Sequence, residues 1–278
     1  MLLPGDFFDL KECDHQELFQ PNAPVWTALD RLQDYLESFF QTAWPLAGRM
    51  GMVENPLIIL NNTIRDDLVV RPSGPKNNIQ AFEGDKALED AAIIMPGAYL
   101  YDDKIIIGAG TVVEPGALIK GPSVIGDNTE IRQGAYMRGN CLIGDRCVVG
   151  HTTEIKSSIM LDGSKAGHFA YIGDSILGKD VNMGAGTKLA NLKMIPGPVM
   201  IAVNKKYHNT GRRKLGAILG DRTETGCNSV TSPGTLMEPR SMVYPGLTVA
   251  GGYYPRSSCV MPSRNSIKVL NNLFGERE

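Results

Sequence analysis

The chain has 278 residues, a net charge of −2 at pH 7 and 42% hydrophobic residues. That length can bury a sizeable core in one or two domains, and the near-neutral balance supplies no overall basic field for nucleic acid. No apolar run reaches the roughly eighteen residues of a membrane span, and the opening MLLPGDFFDLKECDHQ lacks the basic region and apolar core of a secretory signal. Five cysteines without a Cys-x-x-Cys pair fit a reducing cytoplasm and no structural zinc.

Residues 1–80 form a first region, an α/β cap. Asn22-Ala23-Pro24 precedes a segment from Val25 to Thr42 in which Trp26, Leu29, Leu32, Leu36, Phe39 and Phe40 recur at helical spacing. Asp30, Arg31, Asp34 and Glu37 fall on the other side, so the segment reads as an amphipathic helix. Such a helix packs on its own domain or binds a partner. Leu57 to Leu60 and Leu68 to Val70 are short strand candidates, and 71–79 (RPSGPKNNI) reads as a loop.

The next region, 81–265, repeats every six residues. Ile107, Val113, Ile119, Ile125, Ile131, Met137, Ile143, Val149 and Ile155 follow one another at that interval. Four positions after each of the first eight stands a small residue: Thr111, Ala117, Ser123, Thr129, Ala135, Cys141, Cys147 and Thr153. Neither a helix nor a simple strand has this period; a parallel β-helix does, with three units to a triangular coil. The apolar residue points into the prism, the small one lets the adjoining corner close, and Gly, Asn and Asp supply the tight corner conformations. Cys141 and Cys147 are therefore expected as packed thiols. The register returns at Leu177, Met183 and Leu189, and again at Leu219, Thr225, Thr231, Met237, Val243 and Val249.

Two insertions are expected between these stretches. The first is short, Asp162 to Phe169 (DGSKAGHF), and the second runs from about Leu192 to Gly216. The second carries Lys205, Lys206, His208, Arg212, Arg213 and Lys214, which read either as a solvated loop or as a phosphate-binding cluster. Insertions in solenoids gather on one face and build the site. Residues 266–278 form the third region, in which Ser266 to Phe274 are expected as a short helix capping the last coil.

Four histidines are present: His15, His151, His168 and His208. A zinc site would need three convergent imidazoles; His151 and His168 lie near one region but His15 is remote, so no metal is expected. A single His can serve as a general base, and His168 is the best placed, in a Gly-containing excursion.

The block Lys165-Ala166-Gly167-His168-Phe169-Ala170-Tyr171-Ile172-Gly173-Asp174, followed by Val181-Asn182-Met183-Gly184-Ala185-Gly186-Thr187, resembles the acetyltransferase domain of the bifunctional glucosamine-1-phosphate acetyltransferase and N-acetylglucosamine-1-phosphate uridyltransferase family. Ile131-Arg132-Gln133-Gly134-Ala135 and Thr153-Glu154-Ile155-Lys156 are similar to it as well, and Thr210-Gly211-Arg212-Arg213-Lys214-Leu215-Gly216-Ala217-Ile218-Leu219-Gly220-Asp221 resembles its archaeal-type branch. The resemblance covers about residues 90 to 265. It implies a mainly β, left-handed parallel β-helix, here with a small α-containing N-terminal region and a short C-terminal helix, assembled as a cytoplasmic homotrimer.

It also implies an acetyl-CoA-dependent N-acetyltransferase acting on an amino-sugar phosphate, glucosamine-1-phosphate first, with no metal, nucleic-acid or membrane partner. The alternatives are an acyltransferase on another amine or nucleotide-linked amino sugar, and a non-catalytic scaffold or regulatory subunit. By the same resemblance His168 takes the proton from the sugar amine and Glu154 orients it. Arg132 and Lys156 hold the phosphate, and Tyr171, Asn182 and Asn191 hydrogen-bond sugar or acetyl group. Gly184 and Ala185 approach the thioester, Lys214 reaches the site from a neighbouring subunit, and Arg264 contacts CoA. The residue types suit the chemistry: a neutral amine nucleophile needs a base of near-neutral pKa, and a phosphate dianion needs cations, of which Arg offers a bidentate fork. The family's uridyltransferase domain has no counterpart in residues 1–80, so no UDP-sugar synthesis is expected. Leu192 follows Asn191 where the common bacterial branch has tyrosine, and His151 stands in place of a more usual Asn.

Overall fold

The computed structural model describes residues 2–73 and 78–262, and the backbone of 267–270. The hexads wind into a left-handed parallel β-helix with three flat faces. Face 1 stacks strands such as Val148–His151, Lys165–His168 and Asn182–Met183; face 2 stacks Glu154–Lys156, Tyr171–Gly173 and Lys188–Leu189; face 3 stacks Ser158–Met160, Ile176–Leu177 and Ala217–Leu219. The chain passes from face 1 to face 2 to face 3 and back, one strand per face per coil.

All nine apolar hexad residues from Ile107 to Ile155 lie buried in one continuous core inside the prism, and the eight small residues are buried with them. The small position also stitches coils together. The hydroxyls of Thr111, Thr129 and Thr153 donate to the carbonyl oxygens of Gly126, Gly144 and Ala166, at 2.7, 2.9 and 3.0 Å. Inside a dry prism an unpaired hydroxyl is costly, and these three are bonded, whereas the Thr223 hydroxyl at the same position higher in the prism is buried without a partner among the described residues. Cys141 and Cys147 are packed there, and burial pushes their thiols up to about 12 and about 11. At the corners a single residue takes the left-handed conformation, for example Asn128 (φ 52°) and Asn140 (φ 54°).

The short insertion expected at 162–169 does not exist. Lys165–His168 is a regular strand of face 1, paired with Val148–His151 below and Asn182–Met183 above. The inward residues run Ile155, Met160, Ala166, Ile172, Leu177. Two steps are therefore five residues (155 to 160 and 172 to 177), each shortened at the corner from face 2 to face 3. The long insertion is real and leaves from the same corner, between Lys188–Leu189 and Ala217–Leu219. It folds as a hairpin of Met200–Val203 and Lys206–Asn209, its neck closed by a bridge from Leu192 to Lys214.

The N-terminal region wraps face 3. It contains a one-turn helix α1 (Pro4–Phe7) and α2 (Ala28–Ser38). Outward-facing Val124, Leu142, Ile159, Ile176, Ile218 and Leu236 form a second core with Phe7, Leu18, Trp26, Leu29, Leu32 and Leu36, and with Val199, Ile201 and Val203 of the hairpin. The amphipathic helix thus packs on its own chain. Farther along, Leu57–Leu60 and Gly51–Met52 add antiparallel strands to the first coil at Ala92–Ile94 and Tyr99–Leu100.

Of the residues expected as a loop over 71–79, 71–73 and 78–79 lie instead in strands Val69–Ser73 and Asn78–Glu83, which with Lys86–Leu88 make a small antiparallel sheet, and 74–77 lie outside the described residues. The boundary expected at 80/81 therefore falls inside a strand, and the first solenoid strand is Ala92–Ile94. At the other end Ile267–Leu270 is a strand, antiparallel to Cys259–Pro262, where a capping helix was expected over 266–274. A reversed strand closes the open edge by pairing its free backbone groups, which a helix would only cover. Among the described residues no helix is long and apolar enough to cross a membrane.

Candidate active site

His168 ends its face 1 strand at the corner leading to face 2. The parallel register stacks it over His151 one coil below, and its carbonyl accepts the Gly186 N–H from the coil above at 2.9 Å. His168 is exposed. His151 Nδ1 lies 2.9 Å from the Gln133 carbonyl, which can only accept, so this nitrogen carries the proton. Phe169, the next residue, holds a left-handed backbone (φ 51°) with its side chain 56% exposed. Its ring meets His151 edge-on at 5.3 Å and lies 6.4 Å from His168. A bulky residue in this conformation costs about 1–3 kcal/mol, and such strain concentrates at functional sites.

Two glycines here have opposite explanations. A Cβ on Gly184 would strike the backbone of Gly226 and Cys227 at 2.6 Å, so the next coil alone demands glycine there. A Cβ on Gly167, adjacent to His168, would meet nothing within 4 Å. The chain's own packing gives no reason for that glycine, and it leaves open space beside the imidazole. Lys188 adds charge at the same corner: its ammonium donates to the Gly186 carbonyl at 2.9 Å.

A second cluster forms one strand later, at the corner from face 2 to face 3. Asp174 is its centre, in a left-handed corner position with its side chain 8% exposed. Its carboxylate accepts from the Lys156 ammonium at 2.7 Å and from the Asn191 amide, and the Arg212 guanidinium stands 3.8 Å away. Tyr171 donates to Asn191 Oδ1 at 3.4 Å. The insertion is tied to the same point, because Gly216 N–H bonds the Asp174 carbonyl and Leu215 N–H that of Asn191. Arg212 also pairs with Asp30 of α2.

With this geometry in hand, comparisons with known proteins locate the chain. Residues 119–227 match the model of the GMPPB C-terminal domain. A bifunctional sugar-1-phosphate nucleotidylyltransferase/acetyltransferase of Sulfurisphaera tokodaii is 42% identical over 101 residues, 36% of this chain and 25% of that protein. The bifunctional protein GlmU of Methanococcus maripaludis strain S2 is 36% identical over 216 residues, 77% of this chain and 48% of that protein. The chain thus spans a quarter to a half of these bifunctional relatives' length. An uncharacterized acetyltransferase of Escherichia coli, YaiX, is 33% identical over 171 residues, which cover 62% of this chain and 73% of that protein. The chain belongs to the hexapeptide-repeat acetyltransferases.

In this hexapeptide-repeat acetyltransferase the expected site residues do not all gather. His168 stands at the corner from face 1, and Asn182 lies exposed on face 1 one coil above it, in register with Lys165. Glu154, expected against His168, sits on face 2 between Tyr136 and Tyr171 in the stack. Its carboxylate takes the Arg138 guanidinium at 2.7 Å instead, with no bond to His168 among the described residues. Lys156, expected to hold a phosphate, is neutralised by Asp174 and only 14% exposed. Tyr171 and Asn191 join it there. Arg132 extends from face 1 two coils below His168, roughly 10 Å along the axis at the usual strand spacing, and pairs with Glu130 at 2.7 Å.

Lys214 is exposed at the neck of the insertion, and Ala185 lies at the corner directly above His168. Arg264 lies outside the described residues. His15 is remote from this corner, bonded to Tyr35 at 2.8 Å inside the N-terminal core. The sequence reading passed over Asp174 and Lys188. The signal for Asp174 was an acid immediately after the glycine of Tyr-Ile-Gly-Asp, at a shortened corner.

Proposed function

We propose that this chain is an acetyl-CoA-dependent N-acetyltransferase whose acceptor is an amino-sugar phosphate, glucosamine-1-phosphate in the first instance. The observation that carries the reading is His168, exposed beside a strained Phe169 and a glycine that the fold itself does not require. In the reaction the acceptor's neutral amine forms a bond to the thioester carbonyl carbon, and the carbon–sulfur bond breaks. His168 takes the proton that the nitrogen sheds and returns one to the departing CoA sulfur. A base of this kind contributes about 10²–10⁴-fold in rate.

Arg132 and Lys188 supply the positive charge for the acceptor's phosphate. The Arg132–Glu130 pair is partly exposed, 32% and 52%, so exchanging the carboxylate for a phosphate costs little. Space beside Gly167 admits the thioester end of the cofactor. On one chain this site has a single wall. Face 3 is covered by the chain's own N-terminal region, while among the described residues the outer surfaces of faces 1 and 2 carry no such apolar layer beyond the first coil, where Ile93 packs with Ile58, Leu68 and Ala81. A homotrimer packed through those two faces supplies the second wall and brings Lys214 of one subunit toward the site of the next.

The test is release of free thiol from acetyl-CoA in the presence of glucosamine-1-phosphate, with His168→Ala as control. Turnover abolished by the substitution supports the reading. Turnover only with other amino sugars overturns the acceptor, and none with any amine overturns the enzyme. Light scattering on the purified chain reads the trimer directly.

A further inference from the structure

A cavity of about 1270 Å³ lies away from His168. It opens at the corner from face 3 to face 1, between the coils and the N-terminal segment. Asp221 fastens that segment: its carboxylate accepts the backbone N–H groups of Asp9 and Lys179, each at 2.8 Å, and its own N–H donates to the Phe7 carbonyl. The coil wall of the cavity presents Lys179, Arg222, Arg240 and Arg256, and buried Phe8 and Phe19 line the opposite side together with Glu17.

These arginines are unlike the others on the same corner. Backbone hydrogen bonds stack residues 128, 146, 163, 180, 222 and 240 in one column. Asn128 and Gly163 fill this left-handed position at little cost, whereas Arg146 (φ 53°), Arg222 (φ 58°) and Arg240 (φ 60°) all adopt it with a full side chain, so charge pairing is what sets them apart. Arg146, lower in the column, is flanked by Asp145 and Asp162 at 3.8 and 3.5 Å. Arg222 reaches only Asp180, at 3.9 Å, and Arg240 and Arg256 make no ion pair among the described residues. So Arg240 and Arg256 beside the cavity have no ion pair among the described residues and Arg222 has one, where Arg146 outside it has two. Arg222, Arg240 and Arg256 come from three successive coils, about 10 Å in all at the usual strand spacing. Three guanidinium forks over that length suit two linked phosphates better than one. The cavity exceeds the roughly 300–1,000 Å³ of an ordinary small-molecule site, so it holds more than a bare diphosphate.

We propose that this cavity binds a nucleoside diphosphate moiety, its phosphates on Arg222, Arg240 and Arg256 and the nucleoside against the N-terminal wall. The moiety occurs in free nucleotides, in nucleotide sugars and in CoA, and the experiment separates these. Calorimetric titration of the full chain with UDP, ADP, UDP-N-acetylglucosamine, CoA and pyrophosphate is compared with the R240E/R256E variant. At least one nucleoside diphosphate binds more tightly than pyrophosphate, and its affinity falls about tenfold or more for each arginine lost. The same ligand binds normally to R146E and to H168A, and R240K/R256K retains part of the affinity with an unchanged melting temperature. Binding by none of the nucleotides, binding indifferent to R240E/R256E, an equal loss in R146E, or binding by CoA alone that H168A abolishes would each overturn the assignment.

Discussion

Two corners flank face 2, and each gathers a cation, an aromatic ring and a polar group within one coil. At the first, His168, Phe169 and Lys188 are exposed, the backbone of Phe169 is strained, and among the described residues no carboxylate is hydrogen-bonded to the imidazole. At the second, Lys156, Tyr171, Asn191 and Arg212 close around the buried carboxylate of Asp174. The contrast separates two reasons for a motif to be present. The second corner holds a 25-residue excursion on a shortened coil, and its polar groups satisfy one another. Those of the first remain available to a ligand. Residues adjacent in one motif, as His168 and Asp174 are, can therefore serve function and architecture respectively.

Substitutions at the two corners should consequently move different quantities. The largest effect is expected at His168→Ala: acetyl transfer falls about 10²–10⁴-fold, while the melting temperature stays the same, because the side chain is exposed. A fall in both would erase the distinction between the corners. Next is Asp174→Ala, which leaves the Lys156 ammonium buried without a partner. Chemical denaturation should show a loss of about 3–5 kcal/mol, with release of the hairpin detected by proteolysis between 192 and 216. If stability holds and only the Michaelis constant for the acceptor rises, Asp174 belongs to the binding site.

Phe169→Asn sharpens the comparison, since its two readouts should diverge. The left-handed backbone suits Asn, so stability rises by up to about 1 kcal/mol, while turnover declines as the wall beside His168 is removed. The smallest effect lies outside both corners. Burial holds the His15 imidazole below its ordinary pKa. The unfolded chain then binds the extra proton first, and stability declines as pH falls below about 6.5. A melting temperature lower at pH 5.5 than at pH 7.5, with the gap narrowed in His15→Phe, checks this.

The prism was legible in the sequence because every hexad buries its apolar residue in a fixed phase. Ile107 through Ile155 could be placed inside without any knowledge of their neighbours. The shortened corners were not legible. Omitting one residue at Ser157 and one at Asp174 shifts the phase without adding chain, and a phase shift looks the same as an inserted loop when only spacing is visible. This made the strand Lys165–His168 look like an excursion. His168 was still found, because a motif names it, but the pairing of Lys156 with Asp174 depends on how closely two coils approach at a corner. The strand foreseen at Leu68 to Val70 was read too short, and Asn78–Glu83 and Ile267–Leu270 were missed, for a related reason: short edge strands are defined by what they pair with, and local composition shows little of that.

The wrapping of face 3 bears on how the molecule comes apart. A bare solenoid is held by contacts between adjacent coils, so it can fray one coil at a time from either end. Here the N-terminal segment and α2 share one apolar layer with outward residues from Val124 to Leu236, several coils apart. No coil beneath that layer can open without peeling the strap from its neighbours too. The chain should therefore melt as a cooperative unit, with amide exchange protection nearly level across those coils instead of grading toward the ends.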